Sequence, residues 1–236
     1  MQDSSDPWRP LYRAGAVAAA CAVVLYVTAL VIFATTTAPP DSGGAAILEY
    51  VGAHRTGYIV RQLLWLTPSL FLMVVFLALT VALRLHGRSF AAVAGLIAVV
   101  SWAVSFAWPT TGDGSLAMVV LSDRYAAAGT PADRAPYVAG AELLSALNDV
   151  PAVIGVLQTL GIFLVAILML RGVFAKPLAW TGVATGAIGV ISEILRPVLG
   201  WAYALYGVLL FVWLAWTALA LWRLSPSAGR PLRRRS

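Results

Sequence analysis

Residues 14–37, AGAVAAACAVVLYVTALVIFATTT, carry no charged side chain and no proline. A helix needs about 20 apolar residues to cross the hydrocarbon of a bilayer, and this stretch supplies them without interruption, so it reads as a membrane span. The residues before it, Met1 to Arg13, are polar, and the apolar run continues too far for a cleavable signal, so it is expected to stay as the first span. Comparable runs follow at 58–83, 90–108, 150–170, 177–195 and 198–222. The predicted fold is therefore all-α: a single integral membrane domain over residues 1–236, folded as a polytopic bundle of six transmembrane helices. Composition agrees, with 61% hydrophobic residues, 11% charged residues and a mean hydropathy of +0.86. Little chain is left for a water-exposed cofactor domain, which excludes most enzyme classes built on one.

Charge sets the expected orientation. An even number of spans puts both termini on one side. With that side inside, Arg9, Arg13, Arg84, Arg88, Arg171, Lys176, Arg223, Arg230, Arg233, Arg234 and Arg235 are inner, whereas Arg55, Arg61, Arg124, Arg134 and Arg196 are outer or embedded. Only Asp3 and Asp6 among the acidic residues are inner. The excess of inner basic residues predicts cytoplasmic N- and C-termini in a multi-pass protein of the cell inner (plasma) membrane. The net charge of +6 then belongs to the cytoplasmic face, and the terminal RPLRRRS reads as a stop-transfer and headgroup anchor, not as a nucleic-acid site.

The inner connections LHGRS and VFAK are short and predict tight hairpins between spans 2 and 3 and between spans 4 and 5. The outer connections are longer. AAILEYVGAHRTGYIV contains no breaker, so a helix is expected to run straight into span 2, with its kink at Thr67-Pro68. Thr130-Pro131-Ala132-Asp133 has the form of a helix start, with an N-cap, a first-turn proline and a carboxylate three residues on. It leads toward Pro151 and span 4, so helices 2 and 4 are expected to carry long outer extensions. Ser115 to Ala127 reads as an amphipathic piece on the outer surface.

Cys21 stands alone in an apolar run, and His54 and His86 fall on opposite sides of the topology, so neither a disulfide nor a metal is expected. No soluble cofactor is implied. The informative residues are ionisable groups at membrane depth, because a charge in hydrocarbon costs about 2.5 kcal/mol or more and so faces protein or a wet cavity. They are Arg61, Asp149, Glu193 and Arg196, on three different helices and all in the outer half.

Glu193 is the sharpest of them. Gly182, Gly186 and Gly189 recur at spacings of four and three and form one smooth helix face, on which Glu193 continues, with Arg196 three residues further on. Two readings stay open: a Glu193-Arg196 pair that fixes helix register, or a carboxyl whose proton affinity is set by its surroundings and put to use. Asp149, with Asn148 beside it, enters the membrane just before Pro151. Tyr58, Arg61, Trp65 and Pro68 form one stripe on span 2, with Gln62 beside it. Among the nine Trp and eight Tyr, Trp8, Trp108, Trp201 and Trp222 fit an interfacial belt, whereas Trp65, Trp102, Trp213 and Trp216 lie deeper. Tyr203, Tyr206, Leu210, Trp213 and Thr217 share a face on span 6.

Residues 155–197, GVLQTLGIFLVAILMLRGVFAKPLAWTGVATGAIGVISEILRP, together with 209–226, LLFVWLAWTALALWRLSP, combine a basic turn, a glycine-rich span and a Trp-rich last span. In this pattern the chain resembles the C-terminal half of an actinobacterial six-helix integral membrane family with a domain of unknown function. That resemblance implies the fold and no activity. In size and layout the chain is also similar to small integral-membrane terpene cyclases, which implies intramembrane Asp/Glu acids with aromatic walls.

Three functions compete. The first is a cofactor-independent enzyme that protonates an isoprenoid alkene or epoxide and guides the cation through cyclisation. In it Glu193 is the acid and Asp149 a second acid or terminating base. Trp65, Trp102, Tyr203, Tyr206 and Trp213 are the walls, and Arg61, Gln62, Asn148 and Arg196 are further binding residues. The second is a proton- or ion-coupled carrier or channel using the four charges. The third is a nonenzymatic protein that binds membrane lipid or a partner. A membrane lipid or a prenylated small molecule is the expected ligand.

Overall fold

The computed structural model describes residues 7–108, 110–111, 114–147 and 153–225. Among them helix dominates: α1 (Arg9–Thr35), α2 (Gly44–Ala53), α3 (Arg55–Leu83), α4 (Arg88–Ala107), α5 (Ala117–Ala127), α6 (Pro131–Ala146), α7 (Val153–Met169), α8 (Lys176–Ile194), α9 (Arg196–Leu199) and α10 (Ala204–Arg223). Two-residue strands β1 (Thr110–Thr111) and β2 (Gly114–Ser115) form a small antiparallel ladder. Five helices, α1, α3, α4, α8 and α10, are long and apolar enough to cross a membrane, and α7 is apolar but shorter, with 17 residues. Asp3, Asp6, Asn148, Asp149, Pro151 and the basic tail lie outside the described residues.

The long helices and α7 form a closed ring. Each packs on the next in the order α1, α3, α4, α7, α8, α10, and α10 returns to α1. Neighbouring helices meet through small residues, because helices without a hydrophobic drive between them associate by close approach, and large side chains such as Phe76 and Trp213 fill the middle. A Cβ on Gly15 would stand 2.5 Å from the Cβ of Ala78, one on Gly161 2.8 Å from Ala98, and one on Gly186 2.5 Å from the backbone nitrogen of Phe163. Large apolar residues face outward at seven-residue spacing, two helical turns apart: Val17, Val24 and Val31 on α1, Leu63, Leu70 and Leu77 on α3, Leu205, Val212 and Leu219 on α10. An outer surface so apolar suits a bundle whose surroundings are apolar.

Both expected tight hairpins are present. α3 turns into α4 through Gly87, whose φ of +156° begins the new helix, and α7 packs along α8. Between α8 and α10 the chain makes the single turn of α9, then reverses at Gly200 (φ +51°) and enters a 3-10 turn, Gly200–Tyr203. The last long helix therefore starts at Ala204, later than the 198 expected from hydropathy.

The segments that follow α1 and α4 form a cap. Ile47, Leu48 and Val51 of α2 pack with Met118 and Val119 of α5, Ala141 of α6 and Tyr58 of α3 in a second, smaller core. Here one expectation is corrected. The helix through AAILEYVGAHRTGYIV does not run straight into α3; it breaks at His54, which leaves helical geometry at φ −120°, ψ 30°. Its ring stacks on Tyr50, 4.4 Å between centroids. Packing of α2 across α5 and α6 overrides a local sequence free of breakers. By contrast, α3 continues through Pro68. The start of α6 is as expected: the Thr130 hydroxyl accepts from the Asp133 amide at 3.2 Å, with Pro131 in the first turn. The segment 117–127 is the helix α5, but its apolar face is spent on α2 and α6. The cap is further held by the Ser122 hydroxyl, which donates to the Leu48 carbonyl at 2.7 Å, and by an exposed Arg55–Asp123 ion pair.

Candidate functional site

Inside the ring, at the end covered by the cap, is a mostly apolar cavity of about 680 Å³. Every helix of the ring lends it a side: Tyr26 from α1, Trp65 and Ser69 from α3, Trp102 from α4, Gly155 and Gln158 from α7, Glu193 from α8, Tyr206 and Phe211 from α10. Arg196 and Tyr203 enter from the two short turns before α10. Tyr26 organises one wall, stacking on Phe211 at 5.4 Å and meeting Trp65 at 5.6 Å between centroids. Tyr203 and Tyr206 meet edge to face at 5.8 Å. One turn beyond Leu210 of the lining, Trp213 and Phe76 approach to 6.0 Å and fill the ring.

Glu193 reaches this wall because the glycine face of α8 lies against α7 and α10. A Cβ on Gly182 would meet Trp213 at 2.5 Å, and one on Gly189 would meet Thr159 at 2.6 Å. The continuation of that face is buried, and Glu193 is only 5% exposed. The Tyr203 hydroxyl donates to its Oε1 at 2.5 Å. Its Oε2 has no hydrogen-bond partner among the described residues; it stands 4.0 Å from Arg196 Nη1 and 2.4 Å from where a Cβ on Gly155 would be. The Arg196 guanidinium also lies over the Tyr203 ring, 5.5 Å from its centroid. Glu193, Arg196 and Tyr203 thus form one cluster, with Gly155 as the space that admits the carboxyl. Gln158 Nε2 and Trp102 Nε1, on lining residues, are likewise buried without a partner among the described residues.

Of the residues singled out from sequence, Glu193, Arg196, Trp65, Trp102, Tyr203 and Tyr206 line the cavity. Arg61 does not line it. It is buried beside the cavity, where Nη1 donates to Thr36 Oγ1 at 2.9 Å and to the Thr37 carbonyl at 3.3 Å, over the ring of Phe33, which does line the cavity. Gln62 stands behind the wall and accepts from Thr111 Oγ1 at 2.8 Å. Trp213 is not a wall; it is fully buried on Gly182 and Phe76 below it. Trp216, expected deep, is turned to the outside of the ring. Asn148 and Asp149 lie outside the described residues.

Sequence reasoning missed Tyr26, Gly155, Gln158 and Phe211. Two of them had a signal. Tyr12, Ala19 and Tyr26 recur every seven residues on the small-residue face of α1, and Gly155, Thr159, Ile162 and Ala166 share one face of α7. No family model, curated protein or solved structure matches the chain.

Proposed function

We propose that the chain is an integral-membrane enzyme that cyclises an isoprenoid-type substrate by protonation, with six spans and cytoplasmic termini in the plasma membrane. The observation that carries this reading is a buried carboxyl, Glu193, set in an aromatic-walled cavity and held by a tyrosine hydroxyl. Protonation of an alkene or epoxide needs one positioned acid. The cation that follows needs electron-rich faces and no water, and a cation over an aromatic ring gains about 0.5–2 kcal/mol.

In this reading the Glu193 carboxyl gives its proton to the terminal alkene carbon or epoxide oxygen. A neighbouring double bond then supplies the electron pair that forms the ring bond, and the positive charge passes along the chain. Tyr26, Trp65, Trp102 and Tyr206 offer the faces. The charge is discharged when a C–H bond next to it breaks and its proton returns to the Glu193 carboxylate, which Tyr203 and Arg196 hold in place. Reactant and product are isomers, so no oxidant or reductant is required. The role that the sequence offers to Asp149, as second acid or terminating base, falls outside the described residues.

The test is purified protein in liposomes with a panel of farnesyl- and geranylgeranyl-substituted phenols and their terminal epoxides, scored for products of unchanged mass. Glu193→Gln keeps an acceptor for Tyr203 and removes the proton. It is expected to lower turnover at least 100-fold, within the range attributed to a general acid, without changing the melting temperature. Full turnover by Glu193→Gln would sink the assignment. A nonenzymatic lipid-binding reading is favoured by one observation, that the Glu193–Tyr203–Arg196 cluster is also a structural tie; it predicts binding of the same compounds with no product.

A further inference from the structure

Glycine destabilises a helix interior relative to alanine, so each one there calls for a reason. In the ring helices Gly15, Gly95, Gly155, Gly161, Gly186 and Gly189 have one: a Cβ on any of them would come within 3 Å of a neighbour. Gly57, at the start of α3, meets nothing but does not line the cavity, and Gly207 of α10 has no such reason either. A Cβ there would meet nothing within 4 Å, although the residue lines the cavity. The protein's own packing leaves it unexplained.

Its position supplies a reason. The seam between α1 and α10 is closed from the far end, where a Cβ on Gly15 would lie 3.2 Å from Leu221 and Arg13 Nη2 reaches the Ser225 carbonyl at 3.5 Å, up to the stacked pair Tyr26 and Phe211. Beyond that pair, Leu30 and Phe33 of α1 and Val208 of α10 line the cavity and yet are 42%, 44% and 57% exposed. Residues that line the cavity and are also exposed mark where it opens; Trp108 and Leu147 do so at the cap end, and Leu30, Phe33 and Val208 do so through the side of the ring. Its rim there is apolar.

We propose that this stretch of the α1–α10 seam is a lateral portal, with Gly207 as its threshold, through which the chain of a membrane-dissolved isoprenoid reaches Glu193. The proposal rests on the isoprenoid reading of the same cavity. An apolar rim passes a hydrocarbon chain and retains a polar head, so the substrate enters tail first and presents its terminal double bond or epoxide to the acid.

The experiment uses the full chain in phosphatidylcholine vesicles with two photoreactive probes: a benzophenone-bearing farnesyl ether, which partitions into the bilayer, and a water-soluble benzophenone carrying one isoprene unit. Crosslinks to the peptides containing Trp102 and Tyr206 are counted by mass spectrometry. Wild type and Gly207→Ala are expected to label equally with both probes. Gly207→Trp is expected to lose at least fivefold of the farnesyl labelling and to keep the labelling by the soluble probe; Gly207→Leu repeats the block with a smaller side chain. Farnesyl labelling of Gly207→Trp at the wild-type level would overturn the portal and leave the isoprenoid reading standing. Loss of both probes would overturn it as well, by showing that the tryptophan fills the cavity and does not close an entrance. Failure of the farnesyl probe to label the wild-type cavity would overturn the isoprenoid reading and the portal together.

Discussion

Glu193 Oε2 occupies the space that a side chain at Gly155 would need: a Cβ there would stand 2.4 Å from the oxygen and 2.5 Å from the carboxyl carbon. Gly155→Ala is therefore expected to push the carboxyl off its position and to cost about 1–3 kcal/mol, the usual penalty of overpacking. The check is a double-mutant cycle with Glu193→Ser, which vacates the site. The cost of Gly155→Ala should fall markedly in that background. Equal costs in both backgrounds would mean that the two residues do not compete for space.

Tyr203→Phe removes the hydroxyl that donates to Glu193 Oε1 and keeps the ring that meets Tyr206 and lies under Arg196. As the proton leaves, the carboxyl becomes ionised, and a hydrogen bond to an ionised group contributes about 1.5–3 kcal/mol. The variant is expected to lose roughly tenfold to a hundredfold in turnover, as that energy implies, and to retain binding of the farnesyl probe. Unchanged turnover would remove Tyr203 from the positioning of the carboxyl.

Glycines that look alike in sequence should separate by stability. Gly186→Ala drives a methyl to within 2.5 Å of the Phe163 backbone, which cannot swing aside as a side chain can, and is expected to destabilise the α7–α8 pair by about 1–3 kcal/mol or more. Gly207→Ala meets nothing and should stabilise α10 by about 0.5–1 kcal/mol through helix propensity. Thermal unfolding in one detergent compares them, and equal melting temperatures would contradict the close α7–α8 approach.

The α8 face was legible because a row of missing side chains at spacings of three and four serves close approach, and Glu193 follows on the same face. For Tyr26 the seven-residue recurrence with Tyr12 and Ala19 marks the inward face, but only the contacts with Trp65 and Phe211 place it on a cavity wall. Arg61 could not be placed from sequence, since the Thr36 hydroxyl and Thr37 carbonyl to which it donates follow α1, on a different segment of the chain. Nor could the depths of Trp102 and Trp213 be told apart; Phe76 and Gly182 hold one below the cavity while the other lines it. The break at His54 arises from α5 and α6, distant in sequence, and leaves no local trace.

The cap is joined to the ring through Tyr58, whose hydroxyl donates to the Ser115 carbonyl at 3.0 Å and accepts from the Ser115 amide at 3.1 Å. Tyr58→Phe leaves both Ser115 groups without this partner, at a cost of about 1–3 kcal/mol. Amide hydrogen exchange at 114–117 is expected to rise, with exchange in α7 and α8 unchanged. A uniform rise across the ring would show that cap and ring unfold as one unit.

The seam that completes the ring joins the first long helix to the last. Tyr26 and Phe211, which meet across it, stand more than 180 residues apart in the chain. Without that contact the pocket lacks one of its six sides. The enclosure therefore depends on the pairing of two helices far apart in sequence, and a chain with five of the six ring helices in place would still leave the pocket open between α8 and α1.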